Sequence, residues 1–568
     1  MKKSLLTLLL MSAFSLPLLA SQNSTIASSS IGDSIFPLEG SSSIDVLHYD
    51  IQIKWNDKSG NMDVKTLIDI KSTQKLSKFN LDFHGLSISS VKVDGIKSIF
   101  SRDKDKLNIT LTNIVEKGKE FKVEINYSGL PSSLEGSVSA GWETLKDGVK
   151  ALSEPISAKN WFPCNNHPKD KATYSFDITV PKAYDVVANG TPSIPIENDT
   201  YKTCHFETRE PMASYLTMIS IAHYDLEKLE AKDGTPIYNY YYKGMPEDLK
   251  KPFKKEVEIM AFFSEKFGAY PFASAGIVAS KGESILAYET QTRSFFGTPT
   301  NERMLAHEIA HQWFGNFVSL SDWKESWLKE GFATYGAALW LEHKEGKESM
   351  NQWIKGSFES LMGIQYLPKV KLKKLLKIFE IKERIISTDD VKVLIDLGTH
   401  GKTDLKELSS ALKLVPKEGI SNYKLDEVFQ EISFDHFKLT FNQYTKFMNT
   451  VDNKTFENNE SFEHIVSLLA EAPENVTTLV QIYSSGVYVR GALAMHSLRI
   501  KVGDDKFFNI LKEYFKRYKN STAGSKEFTQ LAKEISGENL DEFFKKWLED
   551  KMLPDMPKYG LYKKDYSK

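Results

Sequence analysis

His307 and His311 stand four residues apart in the stretch MLAHEIAHQWFGN, with Glu308 directly after the first histidine. Residues at that spacing share one face of a helix, so a helix here aims two imidazoles at a single point. Neutral imidazole nitrogen is a normal zinc ligand, and a carboxylate beside the pair can take a proton from water that the metal activates. The bland alternative is a surface helix that carries two histidines. A catalytic zinc keeps three protein ligands and one open position, so a third ligand on a facing helix decides between them. WLKEGFATY supplies Glu330 for that role, and the intervening SLSDWKESW can make the turn between two packed helices. The predicted chemistry is metal-assisted hydrolysis at one Zn2+ held by His307, His311 and Glu330.

Composition gives no competing lead. The chain has 73 basic and 75 acidic residues and a formal net charge of −2, so no global field recruits nucleic acid or an anionic membrane. A length of 568 residues exceeds one ordinary core and points to roughly two to four domains. The opening MKKSLLTLLLMSAFSLPLLA joins a basic start, a short apolar run and a small residue, Ala20. It reads as a signal peptide over residues 1–20, which implies export to a periplasm or the exterior and no membrane contact after cleavage. Pro17 and the shortness of the run argue against a membrane anchor. Cys164 and Cys204 are the two cysteines. In an oxidising compartment they form a possible disulfide; two free buried thiols are the other reading, and spacing does not choose.

The elements that must position the site divide the chain. Residues 21–44 are rich in Ser and Gly and read as a linker. Residues 45–225 carry short alternating runs such as MDVKTLIDIK and ATYSFDITVP, the signal of antiparallel strands, and form an N-terminal β domain. Helical periods follow in LKKPFKKEVEIMAFFSEKFG, in the histidine stretch and in VYVRGALAMHSLRIKVG. They assign residues 226–367 and 452–558 to a mainly helical catalytic domain, with residues 559–568 as a tail. Between its halves lies a Lys-rich helical insert over 368–451.

HEIAHQWFGN followed by DWKESWLKEGFATY resembles the zinc aminopeptidases of the aminopeptidase N and leukotriene hydrolase type, and the Leu-x-x-Glu-Thr-x-x-Arg form of ILAYETQTR is similar to a short, mostly bacterial branch of them. The resemblance implies that His307, His311 and Glu330 bind the zinc and that Glu308 is the general base. Lys329 stands where the family usually has Asn, at a position that is not a ligand. ILAYETQTR aligns with the strand whose Glu holds the substrate's free α-amino group, which gives Glu289 that role; Leu286, Tyr288 and Thr290 replace the usual Gly, Met and Asn. SEPISAKNWFPC places Glu154 at a second amine anchor, with Lys159 for the usual Arg. YSSGVYVRGAL places Tyr488 where the family has the tyrosine that donates to the oxyanion. The implied activity is removal of N-terminal residues from peptides with a free N-terminus. A zinc hydrolase of a non-peptide substrate, of the epoxide-opening kind, and a scaffold that kept the fold are the alternatives.

The implied fold is an α+β multidomain chain, with a β-rich, saddle-like N-terminal domain and a thermolysin-like, mainly helical catalytic domain. The large C-terminal helical domain of longer relatives is not expected. Inside the insert, DLGTHGKTDLKE resembles an EF-hand loop, with Asp396, Asp404 and Glu407 as calcium candidates. Gly398 and His400 fill the third and fifth positions, where oxygen ligands belong, and a second copy near Ser433 has lost most carboxylates. The insert therefore reads as a degenerate EF-hand pair without calcium, able to cover the site or to dock a partner.

Overall fold

Apolar and polar residues alternate from Ile44 onward, and that period of two lets each strand bury one face. Strand Lys171–Pro181 buries every second residue, from Ala172 to Val180. The structure, a computed structural model, describes residues 30–132, 141–282, 287–378, 472–479 and 481–566. The N-terminal part is built on a ten-stranded sheet. Strand Ile44–Trp55 lies at its middle, parallel to Lys171–Pro181 and antiparallel to Met62–Ser72. A three-stranded sheet (Leu76–Asp82, Lys106–Val115, Ile99–Asp103) and a four-stranded sheet (Asp185–Ala188, Met218–Ala222, Gly148–Leu152, Gly141–Leu145) complete this half.

The catalytic half opens on a five-stranded sheet that helical periodicity does not reveal. Its order is Tyr224–Glu230, Pro236–Tyr242, Ile277–Ser280, Ser294–Gly297, Ala287–Tyr288. Ile277–Ser280 and Ser294–Gly297 are buried at every position, so they show none of the alternation that marks a half-exposed strand. Helices make up most of the rest of this half and pack mainly on one another: Glu256–Phe267, Glu302–Ala310, Trp327–Glu345, Lys347–Ile378, Gly491–Val502, Asp504–Arg517 and Ser525–Ser536. Trp327 Nε1 donates to Ser525 Oγ at 2.7 Å, tying the C-terminal helices to the centre. Among the described residues no helix is long and apolar enough to cross a membrane.

Three sequence expectations change here. The described part of the linker is packed: Asp33 accepts from the backbone N–H of Ile35, Phe36 and Trp323, and pairs with His167. Glu39, in the same segment, is buried in an ion pair with Lys159. Polar composition hides this packing, because the partners lie far away in sequence. Cys164 and Cys204 are free and buried, which corrects the disulfide reading. The backbone of Cys164 is held by hydrogen bonds to Asp82, whereas Cys204 sits opposite Ile178 in the large sheet, so the two residues belong to different backbone pairings. Finally, helix Lys347–Ile378 runs through the point where the insert was expected to begin. Asp396, Asp404 and Glu407 lie outside the described residues.

Candidate metal centre and active site

The motif helix, Glu302–Ala310, begins where the Asn301 side chain accepts from Met304 N–H at 2.9 Å, satisfying one of the unpaired first-turn donors. Its apolar positions Leu305, Ala306, Ile309 and Ala310 are buried, which fixes the rotation of the helix. Helix Trp327–Glu345, which carries Glu330, approaches it closely because Gly336 has no side chain. A Cβ there would stand 2.7 Å from that of Ala310. The two histidines and Glu330 meet across this contact. His307 Nε2 and His311 Nε2 are 3.0 Å apart, and Glu330 Oε2 is 3.3 Å from each.

Such a triangle suits zinc. Tetrahedral coordination at zinc–ligand distances of about 2.0–2.1 Å separates ligand atoms by about 3.3 Å. His311 Nδ1 donates to the Phe314 carbonyl at 3.1 Å, which leaves a lone pair on Nε2 pointing into the triangle. With His307 in the matching tautomer, two nitrogen lone pairs and a carboxylate oxygen converge on one point, a donor set that fits a cation. Burial lowers the pKa of His307, keeping its ring in the neutral form that ligates.

Glu308 is buried beside the triangle, and its Oε2 has no hydrogen-bond partner among the described residues. Burial, then the charges of Glu289 and Glu330, push its carboxyl well above the usual range. A carboxylate under that pressure is a strong proton acceptor, and a dication among the ligands would oppose the shift. Tyr488 lies in a π-helical turn, Gly486–Arg490, with its ring parallel to the His307 ring (2° apart) and centroids 6.0 Å away. Two features hold it there. Gly331 and Gly491 touch backbone to backbone, and a Cβ on Gly331 would come within 3.0 Å of Gly491 Cα. Arg490, fully buried, donates to the carbonyls of Trp547, Lys546, Lys551 and Asp550, capping the turn Lys545–Glu549. Arg490 thus serves the turn that carries Tyr488 and not the reacting centre.

Glu154 and Glu289 arrive from opposite sides, the first from a loop of the N-terminal half and the second from the turn after strand Ala287–Tyr288. Oxygens of both lie within 4.8 Å of Glu330. The motif helix region itself fixes Glu289: Asn316 Nδ2 donates to its carbonyl at 2.6 Å and Gln312 Nε2 at 3.3 Å. Gln312 Oε1 also accepts from Thr292 N–H at 3.0 Å. Gln312 and Asn316 are thus positioning residues within the quoted motif that the ligand pattern alone does not reveal. Arg293, buried, donates to Tyr238 and Gly190 carbonyls and so pins the same turn to both halves of the molecule.

Lys329 is the unexpected member. Its Nζ pairs with Glu154 Oε1, with Glu289 Oε1 and, at 3.1 Å, with Glu330 Oε1. The ammonium faces the rings of Tyr215 at 5.3 Å and Trp323 at 6.0 Å. Burial opposes the charge on Lys329, but the carboxylates outweigh it and raise its pKa well above normal. Against the upward push of burial, Lys329 holds Glu289 below its ordinary value, whereas burial and the charge of Glu289 push Glu154 up. Lys159 is not at this centre; it pairs with Glu39 and Asp105.

Sequence comparison agrees with this geometry. The profile of the Peptidase M1 N-terminal domain matches residues 46–216, and that of the Peptidase family M1 domain matches residues 250–380 and 413–547. Probable aminopeptidase 1 of Sulfurisphaera tokodaii is 27% identical over 388 residues, covering 63% of this chain and 45% of that protein. Glutamyl aminopeptidase of Homo sapiens is 29% identical over 219 residues, covering 35% of this chain and 23% of that protein. The match spans less than half the length of either relative. An M1 zinc metallopeptidase from Deinococcus radiodurans has the same fold, with a TM-score of 0.68 at 24% identity over 93% of this chain and 98% of that one. A mutant of that peptidase bound to a Tyr-Ser-Ala substrate is similar to the same degree, with a TM-score of 0.68.

Proposed function

We propose a zinc-dependent peptidase function from the premise that this chain belongs to peptidase family M1. The reaction is hydrolysis of the first peptide bond, with release of the N-terminal residue. The observation that carries this reading is the position of Glu154 and Glu289, buried and within 4.8 Å of the ligand Glu330. A wall of buried carboxylates directly beside the metal ligands suits the end of a peptide and not its middle. The signal peptide read from the sequence of residues 1–20 supports a periplasmic or exterior setting for the reaction.

His307, His311 and Glu330 would hold the zinc. Zinc, when bound, acidifies water and polarises a carbonyl. Glu308 takes the proton of the attacking water at its unpartnered Oε2 and passes it to the leaving amine. Tyr488 donates its phenolic proton in a hydrogen bond to the oxygen on which charge develops. Gly331, Gly491 and Arg490 keep that tyrosine over His307.

Mass spectrometry of the products from unstructured peptides tests the proposal, using zinc-loaded protein and both acylated and free N-termini. The expected products are single N-terminal residues and the peptide shortened by one. Internal fragments as the main products would contradict it.

A further inference from the structure

Lys171 opens strand Lys171–Pro181 in the N-terminal half, yet its side chain ends on the catalytic half. Its Nζ donates to the carbonyls of Asn316 at 2.8 Å and Phe317 at 2.7 Å, just after the motif helix. Burial of the amine lowers its pKa to about 7, and no carboxylate among the described residues offsets this. The contact does not depend on the charge: an ammonium has three N–H donors and a neutral amine two, enough for both carbonyls. Tyr215, also of the N-terminal half, donates its hydroxyl to the Gly315 carbonyl at 2.9 Å. Three consecutive carbonyls, those of Gly315, Asn316 and Phe317, are thus held by side chains of the other half. The N–H groups of Asn316 and Phe317 return to the carbonyls of His311 and Gln312. Asn316 passes this grip on. Its Nδ2 donates to the Glu289 carbonyl at 2.6 Å, while its buried Oδ1 has no hydrogen-bond partner among the described residues. With that single tether on the amide, the place of the Asn316 backbone decides where the main chain of Glu289 lies.

Resting on the peptidase reading above, we propose that Lys171 is a positioning residue for the substrate's N-terminus: acting through Asn316 it places Glu289, and so ties the docking of the two halves to recognition of the free α-amine. Lys171 itself touches neither the substrate nor a metal ligand. The zinc triangle is independent of this relay, because His311 donates to the Phe314 carbonyl, which Lys171 does not hold. Glu308 and Tyr488 also lie outside the segment 315–317. Cutting the relay therefore loosens the grip on the amine in the bound substrate and in the transition state alike. Such a change raises KM and leaves kcat in place.

The test measures kcat and KM for alanine p-nitroanilide, together with zinc content, in the wild-type protein, Lys171→Met, Asn316→Ala and the double variant. Lys171→Met keeps the length of the side chain and removes its donors. Its KM is expected to rise by about 10-fold, the effect of one lost hydrogen bond to a charged group, with kcat and zinc content close to wild type. The double variant is expected to match Asn316→Ala alone, because both changes cut one chain of contacts. An unchanged KM, a loss that falls on kcat, or effects of the two changes that simply add overturns the proposal. Where Lys171→Met does not fold, Lys171→Gln takes its place; its shorter amide cannot serve both carbonyls, and its KM is expected to move the same way. If neither folds, Asn316→Ala decides, and an unchanged KM there overturns the relay. If zinc-loaded wild type releases no N-terminal residue from any free peptide, the peptidase reading fails. Calorimetry of alaninamide binding to the same variants then still decides the role of Lys171: weaker binding in Lys171→Met supports it, and equal affinities or no binding overturn it.

Discussion

The metal triangle and the carboxylate cradle share one residue, Glu330, yet they are assembled in different ways. The triangle comes from two consecutive helices, with His307 and His311 on one turn and Glu330 on the next helix. The cradle draws Glu154 from the N-terminal half, Glu289 from the turn beside a buried sheet, and Lys329 from the helix of Glu330. The first needs only helical spacing and one close contact, made possible by Gly336. The second needs the two halves of the molecule to dock. On the function proposed above, the first sets the class of reaction and the second the end of the substrate.

Glu330 offers the hardest blow to this division, because both regions use it. Glu330→Ala should weaken zinc binding by more than about 100-fold, the upper range for loss of a group that merely orients a ligand. Metal analysis of purified protein reads this directly, and activity should vanish with the metal. Normal zinc content in the variant would dissolve the triangle as drawn. Tyr488→Phe cuts less deeply and touches only the metal side. Its kcat should fall by about 10²–10³-fold, as for loss of one oxyanion donor, with zinc content unchanged. KM for alanine p-nitroanilide should stay near its wild-type value; a clearly raised KM would show that Tyr488 also reads the N-terminus, and the two regions would no longer be separable.

What the sequence makes legible follows the same division. His307, Glu308, His311 and Glu330 can be read from spacing, since a helix converts a four-residue interval into a shared face. Tyr488, Glu289 and Glu154 are visible only through resemblance, and the structure does bring all three beside the triangle. In the sequence Lys329 is only a departure at a non-ligand position. The direction of its side chain depends on Glu154, which is distant in sequence, so no local pattern could announce the ion pairs. The five-stranded catalytic sheet escaped for a related reason: strands buried on both faces, such as Ile277–Ser280, have no period to detect. The segment before Ile44 misled through composition, because Asp33 caps the backbone at Trp323 over a separation no motif records.

Glu308 carries the central claim, and its amide variant tests it most directly. Zinc content and peptide turnover should be measured together on Glu308→Gln and wild-type protein. The residue is not one of the three ligands, so zinc should remain at the wild-type level, while turnover falls by about 10²–10⁴-fold through loss of the proton acceptor. Wild-type turnover in a zinc-loaded Glu308→Gln protein would contradict the assignment of the base, and with it the chemistry proposed for this site.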